Sequence, residues 1–268
     1  MKCQSNLNYT YYRKLYVVVC LLIVMSRPAL CDDALLKVYG GSLKLHDGVL
    51  TSIRMESEVV HIDLLDNSYV VDATFEFYNY GETTTVKVGF PKSGHGYAPG
   101  FRNVANFISF QTWVNGSKVA VKEYPGTLVL NGGEMSADQI IGINKGTAAG
   151  WLEETRWLVK EVMFKGKAKT TTRVRYTAPY DVRRDEKYGE YLYGTGRSWS
   201  QSIGSARFII MISPGLKLHW VRFCEDGKYQ NIRKYEYNNL KQIEHEYILR
   251  DIEPKENENL KFLISSEK

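Results

Sequence analysis

The stretch YVVDATFEFYN, Tyr69 to Asn79, decides the fold class, because its side chains alternate with a period of two. Its apolar members would share one face of an extended chain, namely Tyr69, Val71, Ala73, Phe75 and Phe77. Its polar members would share the opposite face, namely Asp72, Thr74 and Glu76. This alternation predicts a β-strand with one buried face and one face in solvent.

Further strand-like segments lie on both sides of this stretch. They cover residues 59–65, 83–90, 168–178, 206–213, 216–223, 245–252 and 260–265. Frequent Gly and Pro residues punctuate them, as between the strands of an all-β domain. Residues 107–114 and 117–124 flank Asn115-Gly116, a pair that accepts the positive φ angles of a type I′ turn, so the sequence predicts a hairpin there.

The middle of the chain follows a different pattern. Residues 135–165 abandon alternation, and Ser136 is placed to cap a first helix. From Trp151 onward the apolar residues form one broad stripe at helical spacing, with Glu161 and Lys165 as a supporting i,i+4 pair. We therefore predict a mainly β protein, an antiparallel β-sandwich-like domain with a helical insertion at 135–165. Residues 32–268 form one domain in this interpretation, with two β lobes separated by the insertion as the alternative.

The first 31 residues have the layout of a secretory signal peptide. Basic residues precede the apolar run Leu15 to Met25, and small residues lead to Cys31. That run is too short for a membrane-spanning helix, so we expect cleavage near Cys31 and a mature chain without a membrane span. Acylation of Cys31 is the alternative. The expected location is extracytoplasmic, either periplasmic or secreted.

Charge and cysteine content limit the function classes. The chain has 35 basic and 30 acidic residues, and four of the basic ones precede position 32, so residues 32–268 carry 31 against 30, a net charge of +1. This balance argues against nucleic-acid binding. Only Cys224 follows position 31, so we expect no intrachain disulfide in the mature protein.

Several short motifs resemble a secreted bacterial family of unknown function, the domain of unknown function numbered forty-four twenty-four. In its first half the matching residues are Gly40-Gly41-Ser42, Met55 with Glu58, Phe77-x-Asn79 and Phe90-Pro91. In its second half they are Tyr191, Tyr193, Thr195, Gly196 and Trp199, with tyrosine at 193 in place of the family's aliphatic residue. The resemblance implies an exported β-rich domain without an established activity, and it supplies no catalytic residues.

Two segments offer candidate ligand contacts. In PKSGHGYAPGF, Pro91 to Phe101, glycines flank His95, and Tyr97 could stack on a sugar or a peptide. In YLYGTGRSWSQSIGSARF, Tyr191 to Phe208, Arg197 and Trp199 could face a ligand beside the first segment. The alternative for both segments is a structural connection between strands.

Catalytic and metal-binding motifs are missing. Residues 194–199 lack the third glycine of a phosphate loop, and residues 196–200 lack the last glycine of a nucleophile elbow. The five histidines do not fall at metal-ligand spacing, so we predict neither a metal nor a cofactor. The function that follows is a non-catalytic binding or structural module whose partner is an envelope protein or a glycan. The alternative is an envelope hydrolase whose site residues come together only on folding.

Overall fold

A computed structural model describes residues 34–39, 42–45, 52–98, 107–131, 133–134, 149–183, 185–225, 228–229, 235–241, 244–255 and 258–266. The signal-peptide prediction for residues 1–31 lies outside these residues, as do Cys3, Cys20, Cys31 and the side chain of Cys224. No helix in the described ranges has the length and hydrophobicity needed to cross a membrane.

The described chain is mainly β, as predicted, and its strands form three sheets. The largest sheet has eight strands in the order β17, β18, β14, β3, β4, β11, β6 and β7. The strands of the eight-stranded sheet are β3 Ile53–Leu64, β4 Ser68–Asn79, β6 Ser109–Val114, β7 Ser117–Val119, β11 Ala168–Pro179, β14 Ile203–Ile212, β17 Tyr235–Lys241 and β18 Glu244–Ile252. Strands β3 and β14 run parallel, and the other described pairs of neighbouring strands run antiparallel.

Two smaller sheets accompany it. The six-stranded sheet has the order β2, β1, β5, β10, β8 and β9, and the five-stranded sheet has the order β12, β13, β19, β15 and β16. The six strands are β1 Ala34–Tyr39, β2 Ser42–Leu45, β5 Thr84–Ala98, β8 Lys122–Leu130, β9 Gly133–Glu134 and β10 Gly150–Phe164. The five strands are β12 Asp181–Arg183, β13 Glu186–Leu192, β15 Leu216–Glu225, β16 Lys228–Tyr229 and β19 Asn259–Ser266. A 3₁₀ helix spans Gly194–Ser198.

Aromatic rings on one face of the eight-stranded sheet pack against both smaller sheets. At one end of β4, Phe77 lies edge-on to Phe164 of the six-stranded sheet, with ring centroids 5.6 Å apart. At the other end, Tyr69 meets Phe262 of the five-stranded sheet at 5.1 Å. The core is therefore one continuous cluster on this face of the large sheet. The opposite face of β4 carries the partly exposed polar residues.

The predicted helical insertion is wrong from residue 150 onward, because that segment is strand β10, while residues 135–148 lie outside the described residues. The middle of β10 is buried on both faces, with 8% or less of each residue exposed from Trp157 to Lys160. A strand buried on both faces shows a continuous apolar run that periodicity does not distinguish from a helix. Alternation returns only at the end, where Val162 and Phe164 are buried and Met163 is exposed.

Residues 91–98 of the candidate segment 91–101 are not a connection between strands, because β5 continues through Ala98. Pro91 pairs with Trp157 of β10, and the described part of β1 pairs with β5 at Val88 and Gly89.

The Asn115-Gly116 hairpin is confirmed. Both residues have positive φ angles, 48° for Asn115 and 79° for Gly116, and they join β6 to β7. The side-chain Oδ1 of Asn115 also accepts a 2.9 Å hydrogen bond from the backbone N–H of Thr171 in β11. The turn therefore fixes the register of β6 beside β11, which positions the site described below.

Candidate ligand-binding face

Trp199 lies in the core. Only 2% of the residue is exposed, and its ring centroid lies 4.6 Å from that of Phe77 and 5.7 Å from that of Phe164. Arg197 belongs to the 3₁₀ helix and is partly buried. An indole enclosed to this extent contacts the sheets on either side of it and has no free face for a ligand.

Hydrogen bonds hold this 3₁₀ segment from both ends. At its start, the backbone N–H groups of Tyr193 and Gly194 donate to the carbonyl of Glu258, and after it the backbone N–H of Ser200 donates to the carbonyl of Ile53 at 2.9 Å. The hydroxyl of Tyr191 donates a 2.5 Å hydrogen bond to Oε1 of the fully buried Glu58. The segment thus joins β3 to the five-stranded sheet as part of the architecture.

His95 and Tyr97 lie far from Trp199. On the β5 backbone they pair with Glu153 and Trp151 of β10, and their side chains lie outside the described residues. Phe164, which packs on Trp199, pairs with Thr84 at the opposite end of β5. Eleven residue steps separate Thr84 from His95, about 35 Å along an extended strand. The structure does not bring the two predicted pairs into one cleft.

The described residues give little support to hydrolysis or metal binding. They contain no group of three or more His, Cys, Asp or Glu side chains that could hold a metal ion. Ser198 is fully buried. One ring nitrogen of His219 lies 2.9 Å from Oγ of Ser265 on the exposed side of the five-stranded sheet. No described carboxylate hydrogen-bonds the other ring nitrogen, so the pair lacks the third group that orients a catalytic base.

The solvent side of the eight-stranded sheet carries a more complete arrangement of polar and aromatic groups. Strict alternation in β4 and β11 sends every second side chain to that side. The register places Arg173 beside Trp113 and Arg175 beside Gln111, with Arg175 also facing Asp72. We define the open face by its residues Asp72, Gln111, Trp113, Arg173 and Arg175.

Arg173 is fixed at the centre of the open face. Its Nε donates to Oδ1 of Asp72 at 2.7 Å, and its Nη2 donates to Oδ2 at 2.5 Å. This two-pronged contact raises the pKa of Arg173 above its usual value, chiefly through the hydrogen bond with Asp72. Its guanidinium carbon lies 4.8 Å from the centroid of the Trp113 ring. The Asp72–Arg173 pair therefore orients an indole that is itself only half-buried.

Arg175 and Gln111 remain available beside this indole. The Arg175 side chain is 51% exposed, and its Nε lies 4.0 Å from Oδ2 of Asp72. Gln111 is exposed, and neither side chain makes a hydrogen bond within the described part of the chain. The open face therefore combines an aromatic plane, one guanidinium and one amide without internal hydrogen-bond partners, and a local excess of positive charge.

A second tryptophan–arginine pair lies on the five-stranded sheet. The guanidinium of Arg222 lies 4.6 Å from the ring centroid of Trp220, and Trp220 is also 6.4 Å from the ring of Tyr188. Both members of this pair make further contacts within the protein. Its distance from the guanidinium to the ring is close to the 4.8 Å of the Trp113–Arg173 pair, so it serves as a control on another sheet.

Sequence reasoning missed the open face. Its residues belong to two predicted strands, Gln111 and Trp113 in one and Arg173 and Arg175 in the other, and each strand alone reads as an ordinary solvent-facing strand. The available signal was a large aromatic residue on the polar side of a strand, next to a predicted hairpin turn. Recognising the site also required the register between β6 and β11, which cannot be read from the sequence.

Comparison with known proteins gives a likeness of fold. No family model and no curated protein matches the chain. A solved Legionella pneumophila protein named "putative nutrient binding protein" superposes with a TM-score of 0.54 at 19% identity, covering 87% of this chain and 72% of that one. An M1 zinc metallopeptidase from Deinococcus radiodurans gives a TM-score of 0.39 at 6% identity, covering 81% of this chain and 43% of that one. At these identities the first similarity shows the fold alone, and the second is too weak to carry an argument.

Proposed function

We propose that this protein is a non-catalytic binding module that holds a carboxylate-bearing sugar on the open face. One observation carries the proposal. Arg175 and Gln111 lie next to the oriented indole of Trp113, and neither side chain makes a hydrogen bond within the described chain. The carbon-bound hydrogens of a sugar ring pack on an indole face, while its hydroxyls and carboxylate accept hydrogen bonds from an amide and a guanidinium.

Charge supports a sugar acid over a nucleic acid. Arg173 and Arg175 exceed the single acid Asp72 on the open face, so a lone carboxylate is attracted. Binding of a polyphosphate chain needs a broad basic surface. On this sheet the acids Asp72 and Glu76 each neutralise a basic residue in an ion pair. Residues 32–268 as a whole have a net charge of only +1.

In the same proposal, the binding module acts in the cell envelope or outside the cell. The N-terminal segment with the pattern of a signal peptide supports export, and the family-like motifs support membership of the exported family named above. The name of the Legionella protein is compatible with a binding role. The proposed partner is accordingly an acidic glycan of the cell envelope or its surroundings.

The test is binding of residues 32–268 to an array of oligosaccharides. It contains oligomers of galacturonic, mannuronic and N-acetylneuraminic acid, with neutral glucose and xylose oligomers as the reference. We expect binding to acidic members that Trp113→Ala weakens at least tenfold, since it removes the stacking plane. Trp220→Ala removes the tryptophan of the other pair and leaves binding unchanged.

Three results would count against the proposal: no binding to any acidic oligomer, equal binding to neutral ones, or equal losses in the two tryptophan variants. Cleavage of a bound oligomer into shorter products would support the hydrolase alternative and contradict a non-catalytic binding module. Trp113→Phe keeps an aromatic ring and distinguishes loss of stacking from loss of folding.

A further inference from the structure

A second aromatic group lies on the same side of the eight-stranded sheet as the open face. The rings of Tyr78 and Tyr80 have centroids 4.6 Å apart, and Tyr80 is 49% exposed. The hydroxyl of Tyr80 donates a 2.9 Å hydrogen bond to Oε1 of Glu56, which fixes the ring. We call Tyr78 with Tyr80 the tyrosine pair.

The register gives the separation between Trp113 and the tyrosine pair. Trp113 pairs with Arg173, and Tyr78 pairs with Lys169, four residues earlier in β11. Trp113 and Tyr78 are also two strands apart, on β6 and β4, with β11 between them. Four residue steps along a strand and two strand spacings across it place the two aromatic sites about 16 Å apart.

The side chains on the surface between the two sites are polar and partly exposed. Thr74 and Thr171 face solvent there, and Glu76 forms an ion pair with Lys169. Hydroxyls and paired charges along this path can exchange hydrogen bonds with sugar hydroxyls, and they present no bulky apolar barrier. The described residues therefore form a continuous polar path with an aromatic group at each end.

From this geometry we infer that the ligand is a linear acidic polysaccharide that contacts Trp113 and the tyrosine pair at once, with its carboxylate at Arg175. This rests on the proposed function and deepens it, since a single sugar ring is far narrower than the separation between the two aromatic sites. Joining two weak contacts through one polymer raises the affinity because the second contact becomes intramolecular.

The experiment measures affinity against oligomer length by calorimetry. It uses galacturonate, mannuronate and N-acetylneuraminate oligomers of one to eight units with the wild-type protein, Tyr78→Ala and Tyr78→Phe. We expect wild-type affinity to rise with length until an oligomer spans both sites. Tyr78→Ala should lower the affinity for the long oligomers about tenfold and leave the affinity for the short ones unchanged. Tyr78→Phe keeps the ring and should behave as the wild type does.

The control is Tyr124→Ala, which removes a tyrosine of the six-stranded sheet that lies 5.2 Å from the ammonium of Lys122. It should leave the length dependence intact. Equal affinity for short and long acidic oligomers would overturn this inference while leaving the proposed function standing. Loss of the length effect in Tyr124→Ala would overturn it as well. Absence of binding to every acidic oligomer, or stronger binding to an acidic peptide such as oligoglutamate, would overturn both proposals.

Discussion

The guanidinium of Arg173 hydrogen-bonds to both carboxylate oxygens of Asp72, a residue 101 positions earlier in the chain. Arg175 lies 4.0 Å from the same carboxylate and is 51% exposed, so it is the more available cation of the two. Arg173 thus orients Trp113, while Arg175 is exposed to solvent beside it.

Replacing Arg175 tests the role of that second cation. Arg175→Gln should weaken binding of acidic oligomers about tenfold or more, because a charge-assisted hydrogen bond is lost. Arg156→Gln is the matched control, since Arg156 already pairs with Glu154 and Glu123 on another sheet. Calorimetric titration of both variants measures the difference. Equal losses would show that net charge alone, and not the position of Arg175, governs binding.

Replacing Trp199 tests its structural role. Trp199→Ala should lower the free energy of unfolding by about 3–5 kcal/mol, since it empties a site between Phe77 and Phe164. Trp113→Ala, at a half-buried ring on the solvent side, should cost much less. Urea unfolding followed by circular dichroism gives both values. A cost for Trp199→Ala as small as that for Trp113→Ala would refute core packing of this ring.

Gly189 tests the close contact between β13 and β19. A Cβ at this position would lie 2.3 Å from ring atoms of Phe262, a fully buried side chain that also contacts Tyr69. Gly189→Ala should therefore destabilise the protein by about 1–3 kcal/mol through overpacking. At Gly133 the nearest atom to a new Cβ would be 3.9 Å away, so Gly133→Ala should be neutral or slightly stabilising. A neutral Gly189→Ala would contradict the packing of the five-stranded sheet.

His245 gives a prediction for pH dependence. Burial lowers the pKa of His245 below its usual 6.5, because desolvation disfavours the charged ring. Below that pH the unfolded chain binds a proton more readily than the folded one does, so this histidine destabilises the fold as the pH falls below about 6.5 and has no such effect above it. His245→Gln should flatten the loss of stability in denaturant titrations between neutral and mildly acidic pH. An unchanged slope would contradict the assignment, and His219→Gln, at an exposed ring, is the control.

The sequence predicted local features whose causes are local. Alternation in Tyr69 to Asn79 predicted β4 because a half-buried strand has no other pattern, and Asn115-Gly116 predicted its turn because few residues accept positive φ. The helix prediction failed at β10 because burial of Trp157 and Val159 on one face and Leu158 on the other hides the alternation. Local patterns do not report what covers the second face of a strand.

The candidate site was less predictable than the fold for the same reason. The glycines near Trp199 are typical of an exposed loop, yet its indole packs between two sheets whose approach no local pattern encodes. Trp113 and Arg173 are 60 positions apart in the chain and become neighbours only through the β6–β11 pairing. A site assembled across strands is visible only once the register is known.

The nuclear magnetic resonance spectrum of the indole N–H groups of the five tryptophans tests directly whether the ligand binds at the open face. Signals from Trp113, Trp199 and Trp220 are assigned from the corresponding variants, and an acidic oligosaccharide bound in the array is then titrated in. We expect the Trp113 signal to shift in proportion to saturation while the Trp199 and Trp220 signals stay in place. A shift of Trp220 with an unmoved Trp113 at saturation would contradict the assignment of the open face as the ligand site.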